Sequence, residues 1–283
     1  MNLFQALILG IIQGATEFLP VSSSGHLVLA PWLLGWNRPN NAWYLDPTDP
    51  FQLAFDVVLH LGTVVAVLVY FWRDWLDLLR GVSRAISQRT LDEPKAKLAM
   101  LIILGTIPAA LIGYALDEFF ERMFQQETAA AAFLLVTATF LFITERLGRR
   151  ERDLEQITWL DALLIGLGQA LAIFPGISRS GATIATGLAR GLEREPAARF
   201  SFLLATPVIL GAGAFKILDL AQAGDLSGQL PVLVVGFLGA GVVGFGCIHF
   251  LLRYLQHHRL YPFAIYCAAL GILSLIIAAT GLR

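Results

Sequence analysis

Residues 13–26 read Gln-Gly-Ala-Thr-Glu-Phe-Leu-Pro-Val-Ser-Ser-Ser-Gly-His and bring many polar groups into an apolar run. Gln13 and Glu17 are four residues apart, so they share one face of a helix. Pro20 ends that helix, and the serines after it are N-cap candidates for a second helix. His26 then lies in the first turn of the second helix. The stretch therefore predicts a helix–break–helix hairpin with a polar tip.

A second stretch of the same kind begins 156 positions later and reads Gln-Ala-Leu-Ala-Ile-Phe-Pro-Gly-Ile-Ser-Arg-Ser-Gly-Ala-Thr over residues 169–183. Six residue types recur at this shift: Gly10, Gln13, Phe18, Ser22, Ser24 and Gly25 fall on Gly166, Gln169, Phe174, Ser178, Ser180 and Gly181. This is an internal repeat. The first copy carries Glu17 and His26 and the second carries Arg179 and Thr183, so neither copy is a complete site alone.

The composition indicates a membrane protein. Hydrophobic residues make up 57% of the chain and charged residues only 14%, and several apolar runs approach the roughly 20 residues that span a bilayer. We expect the lipid bilayer as its environment and no nucleic-acid partner. Six segments read as spans: 51–72, 97–116, 128–146, 200–220, 231–252 and 261–281.

Two further segments, 3–35 and 158–190, are interrupted by Pro20 and Pro175. They fit re-entrant hairpins, because broken backbone is tolerated at membrane depth where it lines a cavity. The sequence thus predicts an all-α polytopic membrane protein with six transmembrane helices and two re-entrant helical hairpins. Residues 1–150 form the first repeat and residues 151–283 the second, within one integral membrane domain.

The basic residues predict the orientation. Fifteen of the 20 Lys and Arg residues fall in 73–97, 146–152, 190–199 and 253–259, which the positive-inside rule makes cytoplasmic, with both termini outside. Each half is one hairpin plus three spans, so the second half starts on the opposite side from the first. This is an inverted-topology repeat, in which the two hairpin tips meet near the midplane.

The polar groups of the two tips suit phosphate chemistry. Ionisable residues at membrane depth are costly, so Glu17 and Arg179 are functional candidates; a purely structural pair would not explain the hydroxyls around them. Two helix N-termini facing one point form an anion site, to which Arg179 adds a bidentate ligand. We expect the substrate to be bound by Ser22, Ser24, Gly25, Gly176, Ser178, Ser180 and Thr183.

Other side chains suggest a metal and a proton carrier. Gln13 and Glu17 offer hard oxygen ligands for Mg²⁺ or Ca²⁺. His26 has the chemistry of a general base or acid, or of a nucleophile at phosphorus. Asp56 and His60 share a face of the first span, where they either line the cavity or pack through hydrogen bonds.

Residues 13–26 and 175–183, together with Phe-Asp-Val-Val-Leu-His-Leu-Gly-Thr at the start of 55–71, closely resemble the bacterial undecaprenyl-diphosphate phosphatase family associated with bacitracin resistance. The resemblance implies hydrolysis of undecaprenyl diphosphate to undecaprenyl phosphate and inorganic phosphate, with a divalent cation. This recycles the lipid carrier of cell-wall synthesis. It also implies a bacterial inner-membrane protein whose active site faces the outer, periplasmic side.

The resemblance also implies residue roles. The family's acidic motif falls on Gln13 and Glu17, and Arg179 would grip the diphosphate. The catalytic set is Glu17, Ser23, His26 and Arg179. Some members carry Glu where this chain has Gln13, so this chain has an amide in place of the second carboxylate. His26 as a base for Ser23 and His26 as the direct nucleophile are both open.

The sequence leaves two alternative functions open. A secondary transporter or flippase of a lipid phosphate or small anion shares the inverted repeat, but it needs no positioned His26 or catalytic metal. Lipid phosphatases with a histidine nucleophile share Ser24-Gly25-His26, but their last motif needs a histidine where this chain has Ala185. A homodimer is allowed, although one chain already holds both repeats.

Overall fold

The computed structural model describes residues 1–38, 45, 49–90, 93–116, 123, 126–222 and 227–281. These residues form eleven α-helices: α1 Leu3–Phe18, α2 Ser23–Leu33, α3 Pro50–Tyr70, α4 Trp72–Gln88, α5 Pro94–Ala115, α6 Glu127–Leu147, α7 Trp159–Leu171, α8 Arg179–Ala189, α9 Arg194–Gln222, α10 Leu230–His257 and α11 Tyr261–Ala279. Within this part of the chain there is no β-strand, only an isolated bridge between Arg152 and Leu192.

Five helices are long and apolar enough to cross a membrane, namely α5, α6, α9, α10 and α11. A sixth span is counted if α3 and α4, bent by 72° at their junction, are taken as one broken span. Helices α1 and α7 are apolar but shorter. The prediction of an all-α polytopic membrane protein is therefore confirmed.

Both predicted hairpins break where their prolines indicate, and the breaks are capped alike. Helix α1 ends at Phe18, and the Ser22 hydroxyl accepts the Gly25 N–H at 3.1 Å to cap α2. Helix α7 ends before Pro175, and the Ser178 hydroxyl accepts the Gly181 N–H at 3.0 Å to cap α8. The two caps are related by the same 156-residue shift as the sequence repeat.

The first arms of the hairpins also start alike. Asn2 and Gln5 form a capping box at the start of α1, and Thr158 and Asp161 form one at the start of α7. A capping box satisfies backbone N–H groups that have no partner within the helix. The repeat thus covers each hairpin from its entry to its tip.

Each hairpin packs against a span from the other half of the chain. Helix α1 lies on α10, where a side chain at Gly10 would begin 2.6 Å from the Gly236 carbonyl oxygen. Helix α7 lies on α5, where a side chain at Gly166 would collide with the Gly105 carbonyl. Small residues at such crossings let helix backbones approach closely. The two halves are therefore interlocked.

A cluster of phenylalanines fixes the end of α1. Phe18 is fully buried and meets Phe202 of α9 edge to face, with ring centroids 5.3 Å apart. Phe71, at the end of α3, lies 6.4 Å from the same ring. Because Phe18 directly follows Glu17, this packing holds the carboxylate in the interior.

Two buried carboxylates hold together the end of the molecule that carries the arginine-rich segments 146–152 and 190–199, called here the basic end. Asp161 at the start of α7 pairs with Arg152 at 2.6 Å and with Arg190 at 2.7 Å. Burial opposes ionisation of Asp161, but hydrogen bonds from these arginines and from Thr158 hold the pKa of its carboxyl well below the usual range. Charge-assisted hydrogen bonds of this kind stabilise the ionised form.

The second buried carboxylate is Glu145 near the end of α6. Arg194 binds it with two nitrogens, the closest contact being 2.5 Å, and Arg150 approaches at 3.1 Å. The backbone N–H of Leu260 donates to its other oxygen at 3.2 Å. Four chain segments are therefore joined at this end: α6, the start of α9, the start of α11 and the loop around Arg150.

The basic stretch after the first span folds as helix α4. Its Leu78, Gly81 and Ala85 are buried, and the helix packs on α5. Leu79 and Ile86 lie on an exposed face. An amphipathic helix of this composition is typical of a membrane interface.

Candidate functional site

The two hairpin tips touch each other. The Ser180 hydroxyl donates to the Leu19 carbonyl at 3.0 Å, and the Gly176 N–H reaches the Ser24 hydroxyl at 3.4 Å. A side chain at Gly25 would begin 3.1 Å from the Gly176 Cα, so any larger residue would press the two tips apart by a few tenths of an ångström. The prediction that the breaks meet is confirmed.

The Glu17 carboxylate is the centre of this contact, and the residue as a whole is only 5% exposed. Its Oε2 accepts the Ser23 hydroxyl at 2.6 Å and the Gln13 amide N–H at 3.0 Å. Its Oε1 forms an ion pair with Arg179 from the other tip. The Glu17 carboxylate thus binds three other predicted site residues, drawn from both copies of the repeat.

His60 also faces this carboxylate, with its Nε2 3.9 Å from Glu17 Oε2. It comes from α3, outside both repeated stretches. The sequence predicts that His60 either lines the cavity or packs through hydrogen bonds, and in the structure it lies beside Glu17 with its Nδ1 2.7 Å from the Asp56 carbonyl. Its side chain is 32% exposed, whereas that of Glu17 is 2% exposed, so the site opens on the His60 side.

His26 lies at the tip but makes different contacts. Its Nδ1 is 2.7 Å from the Ser22 carbonyl, and its Nε2 is 2.7 Å from the Tyr266 hydroxyl. The two rings stack with centroids 5.6 Å apart. Both ring nitrogens are therefore engaged away from Ser23. Tyr266 lies on α11, 240 residues further along the chain, and no sequence signal pointed to it.

The predicted phosphate-binding hydroxyls are mostly engaged within the protein. Ser22 and Ser178 cap helices, and each approaches the serine two residues later, at 3.3 Å and 3.2 Å respectively. Thr183 Oγ1 donates to the Arg179 carbonyl at 2.7 Å and contacts Ser201 of α9 at 2.6 Å. These contacts shape the tip backbone. Direct binding of phosphate by these hydroxyls stays a prediction.

The backbone at the second tip requires a glycine. Gly176 has a φ of +98°, and a side chain there would collide with the Ala130 carbonyl of α6. Thr137 of α6 holds the loop from both sides, donating to the Gly176 carbonyl at 2.9 Å and accepting the Ser178 N–H at 2.9 Å. Sequence reasoning had not identified Thr137, which lies far from both motifs in the chain.

The donors at the first tip fit a divalent cation. Gln13 is fully buried, and its Oε1 has no hydrogen-bond partner among the described residues. A buried amide oxygen beside a carboxylate is the kind of ligand that Mg²⁺ and Ca²⁺ prefer. Among all the residues that the structure describes, no group of three or more His, Cys, Asp or Glu side chains could hold a metal. A cation here would therefore be held by Glu17 together with other oxygen donors, of which the Gln13 amide is one.

Comparison with known proteins places this arrangement in context. The sequence model described as bacitracin resistance protein BacA matches residues 6–273. A protein of Desulforudis audaxviator named undecaprenyl-diphosphatase is 44% identical over 98% of each chain. Two further proteins with the same name are similar over nearly their full lengths. The protein of Thermomicrobium roseum is 41% identical over 99% of each chain. The protein of Rubrobacter xylanophilus is 43% identical over 96% of this chain and 97% of its own.

Proposed function

The chain belongs to the bacitracin resistance protein BacA family, and we infer from this membership and from the site that it is an undecaprenyl-diphosphate phosphatase. It hydrolyses undecaprenyl diphosphate to undecaprenyl phosphate and inorganic phosphate. This returns the lipid carrier to cell-wall synthesis and accounts for bacitracin resistance in the family name. Relatives at 41–44% identity carry the name undecaprenyl-diphosphatase.

The observation that carries the proposal is the contact of Ser23, Glu17 and Arg179 between the two tips. A nucleophile, a base and a cation for the diphosphate lie within one small group around the buried Glu17 carboxylate. Glycine-lined backbone and two helix N-termini surround it, where N–H groups and helix dipoles favour an anion. A protein that only moved a lipid phosphate would need the anion site but not a hydroxyl hydrogen-bonded to a buried carboxylate.

We assign Ser23 as the nucleophile and Glu17 as its base. The Ser23 hydroxyl donates to Glu17 at 2.6 Å, which is the geometry of a base positioned to accept its proton. As the Ser23 oxygen bonds to the terminal phosphorus, the proton passes to Glu17 and the bridging oxygen leaves with undecaprenyl phosphate. That leaving phosphate takes the proton from Glu17. Water then attacks the phosphoserine, gives its proton to Glu17, and Ser23 is reprotonated as phosphate departs.

Arg179 binds the diphosphate when substrate enters. Its guanidinium pairs with Oε1 of Glu17 in the free protein and can exchange that partner for phosphate oxygens, which a guanidinium can bind in a bidentate manner. The exchange would leave Glu17 free to act as a base. Stabilising charge on the transferred phosphoryl group is the main task of a phosphoryl-transfer site.

His26 is assigned a supporting role at the tip. Its Nδ1 is paired with the Ser22 carbonyl and its Nε2 with the Tyr266 hydroxyl. A nucleophilic histidine would have to release Tyr266 first, whereas Ser23 already has its base. The geometry therefore favours Ser23, and His26 holds Ser22 in its positive-φ conformation at +73°.

Gln13 and Glu17 would hold a divalent cation, Mg²⁺ or Ca²⁺, in the first hairpin. The Gln13 Oε1 atom has no hydrogen-bond partner among the described residues, which supports this placement. Such a cation would offset the charge on the diphosphate oxygens. The amide of Gln13 keeps the negative charge of the site lower than a second carboxylate would.

The proposed topology is six spans, α3, α5, α6, α9, α10 and α11, with α1–α2 and α7–α8 as re-entrant hairpins. Helices of 16 and 13 residues, α1 and α7, are about 24 and 20 Å long and fall short of a core of about 30 Å. The matched glycine crossings on α10 and α5 support an inverted-topology repeat of residues 1–150 and 151–283. The basic end faces the cytoplasm of a bacterial cell, which turns the first hairpin and the active site to the periplasmic side.

The proposal is tested by phosphate release from a long-chain isoprenyl diphosphate. Purified wild type is compared with Arg179→Ala and with Arg73→Ala, a matched change at an arginine that lies over the Trp72 ring instead of the site. We expect Arg179→Ala to lower kcat/KM by about 10³-fold or more and Arg73→Ala to stay within about twofold of wild type. Near-normal hydrolysis by folded Arg179→Ala would refute the role of Arg179.

A further inference from the structure

We propose that His60 is a third ligand of the divalent cation held by Gln13 and Glu17. The inference rests on the proposed function, which puts a cation at the first hairpin. His60 belongs to neither repeated stretch, and it enters the site from α3 with its Nε2 directed at Glu17 Oε2. Three observations carry the assignment: the orientation of the ring, its separation from the carboxylate and the free oxygen of Gln13.

The hydrogen bond on the far side of the ring fixes its tautomer. His60 Nδ1 lies 2.7 Å from the backbone carbonyl of Asp56. A carbonyl oxygen only accepts, so Nδ1 carries the proton and Nε2 of the neutral ring presents a lone pair. Histidines that bind metals are commonly oriented in this way, with the second ring nitrogen donating to a carbonyl or carboxylate.

The separation between His60 and Glu17 suits two ligands of one ion. At 3.9 Å the contact is too long for a hydrogen bond. With metal–ligand bonds of about 2.0–2.3 Å, two ligand atoms lie about 3 Å apart at a right angle and at most about 4.6 Å apart. A neutral ring whose lone pair faces a carboxylate oxygen at this separation leaves a position for a cation between them. Arg179 does not fill this position, because its guanidinium pairs with the other oxygen, Oε1.

Gln13 supplies the remaining donor. Its Nε2 lies 3.0 Å from Glu17 Oε2, while its Oε1 is buried and lacks a hydrogen-bond partner in the described chain. A half-turn of the amide would exchange Nε2 and Oε1 and so place Oε1 about 3.0 Å from Glu17 Oε2. Adjacent oxygen ligands around an octahedral ion are separated by about this distance. The His60 side chain is 32% exposed, so this side of the site is the less buried one. An imidazole ligand also raises the affinity for Mn²⁺ relative to Ca²⁺.

The test uses Mn²⁺ as a paramagnetic probe on the purified full-length protein in detergent, with and without methylenediphosphonate. Continuous-wave electron paramagnetic resonance (EPR) measures the Mn²⁺ affinity, and pulsed EPR detects a ¹⁴N nucleus bound to the ion. We expect an imidazole nitrogen signal in wild type. His60→Gln should lose this signal and weaken Mn²⁺ binding about tenfold or more, and Glu17→Ala should abolish binding.

The matched control is His249→Gln on α10, whose ring contacts the Tyr70 hydroxyl at 3.3 Å outside the site; it should keep both signal and affinity. Absence of a nitrogen signal in wild type overturns the assignment without need of a variant. A signal that survives in His60→Gln, or that disappears in His26→Gln instead, also overturns it, while a cation at Glu17 would stand. Phosphate release by the same preparations, measured in parallel, shows separately whether the hydrolase function holds.

Discussion

Replacing Ser23 by alanine removes one hydroxyl and distinguishes the two candidate nucleophiles. In the free protein this hydroxyl donates to Glu17 Oε2 at 2.6 Å. The adjacent Ser24 gives a matched control. Its hydroxyl makes two longer contacts, 3.3 Å to the Ser22 hydroxyl and 3.4 Å to the Gly176 N–H. Both substitutions delete the same atom from the same turn of α2, so a difference between them reports chemistry.

The expected magnitudes differ widely. Loss of the nucleophile leaves only binding and charge stabilisation, so Ser23→Ala should lower kcat by about 10³-fold or more, or at least about 4 kcal/mol. Loss of ordinary hydrogen bonds costs about 0.5–1.5 kcal/mol, so Ser24→Ala should lower kcat by at most about tenfold. His26→Gln lies between them, because it breaks the contacts with Ser22 and Tyr266 while Ser23 and Glu17 stay paired.

The assay is steady-state phosphate release from a long-chain isoprenyl diphosphate, with thermal unfolding of each variant as the control for folding. The reasoning is refuted if Ser23→Ala keeps kcat within tenfold of wild type while His26→Gln falls by 10³-fold. That result would make His26 the nucleophile and Ser23 a hydrogen-bond donor that orders Glu17.

Three other predictions concern positions around the site. Asp161→Asn should lower the free energy of unfolding by about 1.5–3 kcal/mol at neutral pH, because two partly exposed arginines lose a charged hydrogen-bond partner. Since the pKa of this carboxyl is depressed on folding, the deficit relative to wild type should shrink as the pH falls below about 4, which thermal melting measures. Gly176→Ala should destabilise the protein by about 1–2 kcal/mol from its positive φ alone, with more from the clash. Gly246→Ala, inside α10 with nothing within 4 Å, should leave the melting temperature unchanged or slightly higher, and equal melting of both variants would contradict this. Tyr266→Phe keeps the stack on His26 but removes the 2.7 Å contact, so kcat should fall about threefold to tenfold, and an unchanged kcat would show that His26 needs no hydroxyl to hold it.

Much of the fold could be predicted because the signals were local. Pro20 and Pro175 marked the breaks, and serines at the same shift marked both caps. The four-residue spacing of Gln13 and Glu17 predicted the shared helix face on which they now hydrogen bond. Such features depend on neighbours in sequence, so a single chain reveals them without alignment.

Long-range contacts could not be predicted in the same way. His60 and Tyr266 reach the tips from α3 and α11, and nothing in their own neighbourhoods distinguishes them from packing residues. Arginines at the basic end were counted as cytoplasmic charge, which hid the buried carboxylates Asp161 and Glu145 that four of them bind. Charge alone gives the side of the membrane, whereas tertiary packing decides which charges are paired.

Phosphate release from a long-chain isoprenyl diphosphate, with added Mg²⁺ or Ca²⁺ and with chelator, tests the central claim most directly. The purified wild type should release phosphate only with the cation present, and Glu17→Ala should be inactive under every condition, because the base and a cation ligand are lost together. Folded wild-type protein that binds the lipid diphosphate but releases no phosphate would contradict the hydrolase account and favour a lipid phosphate carrier.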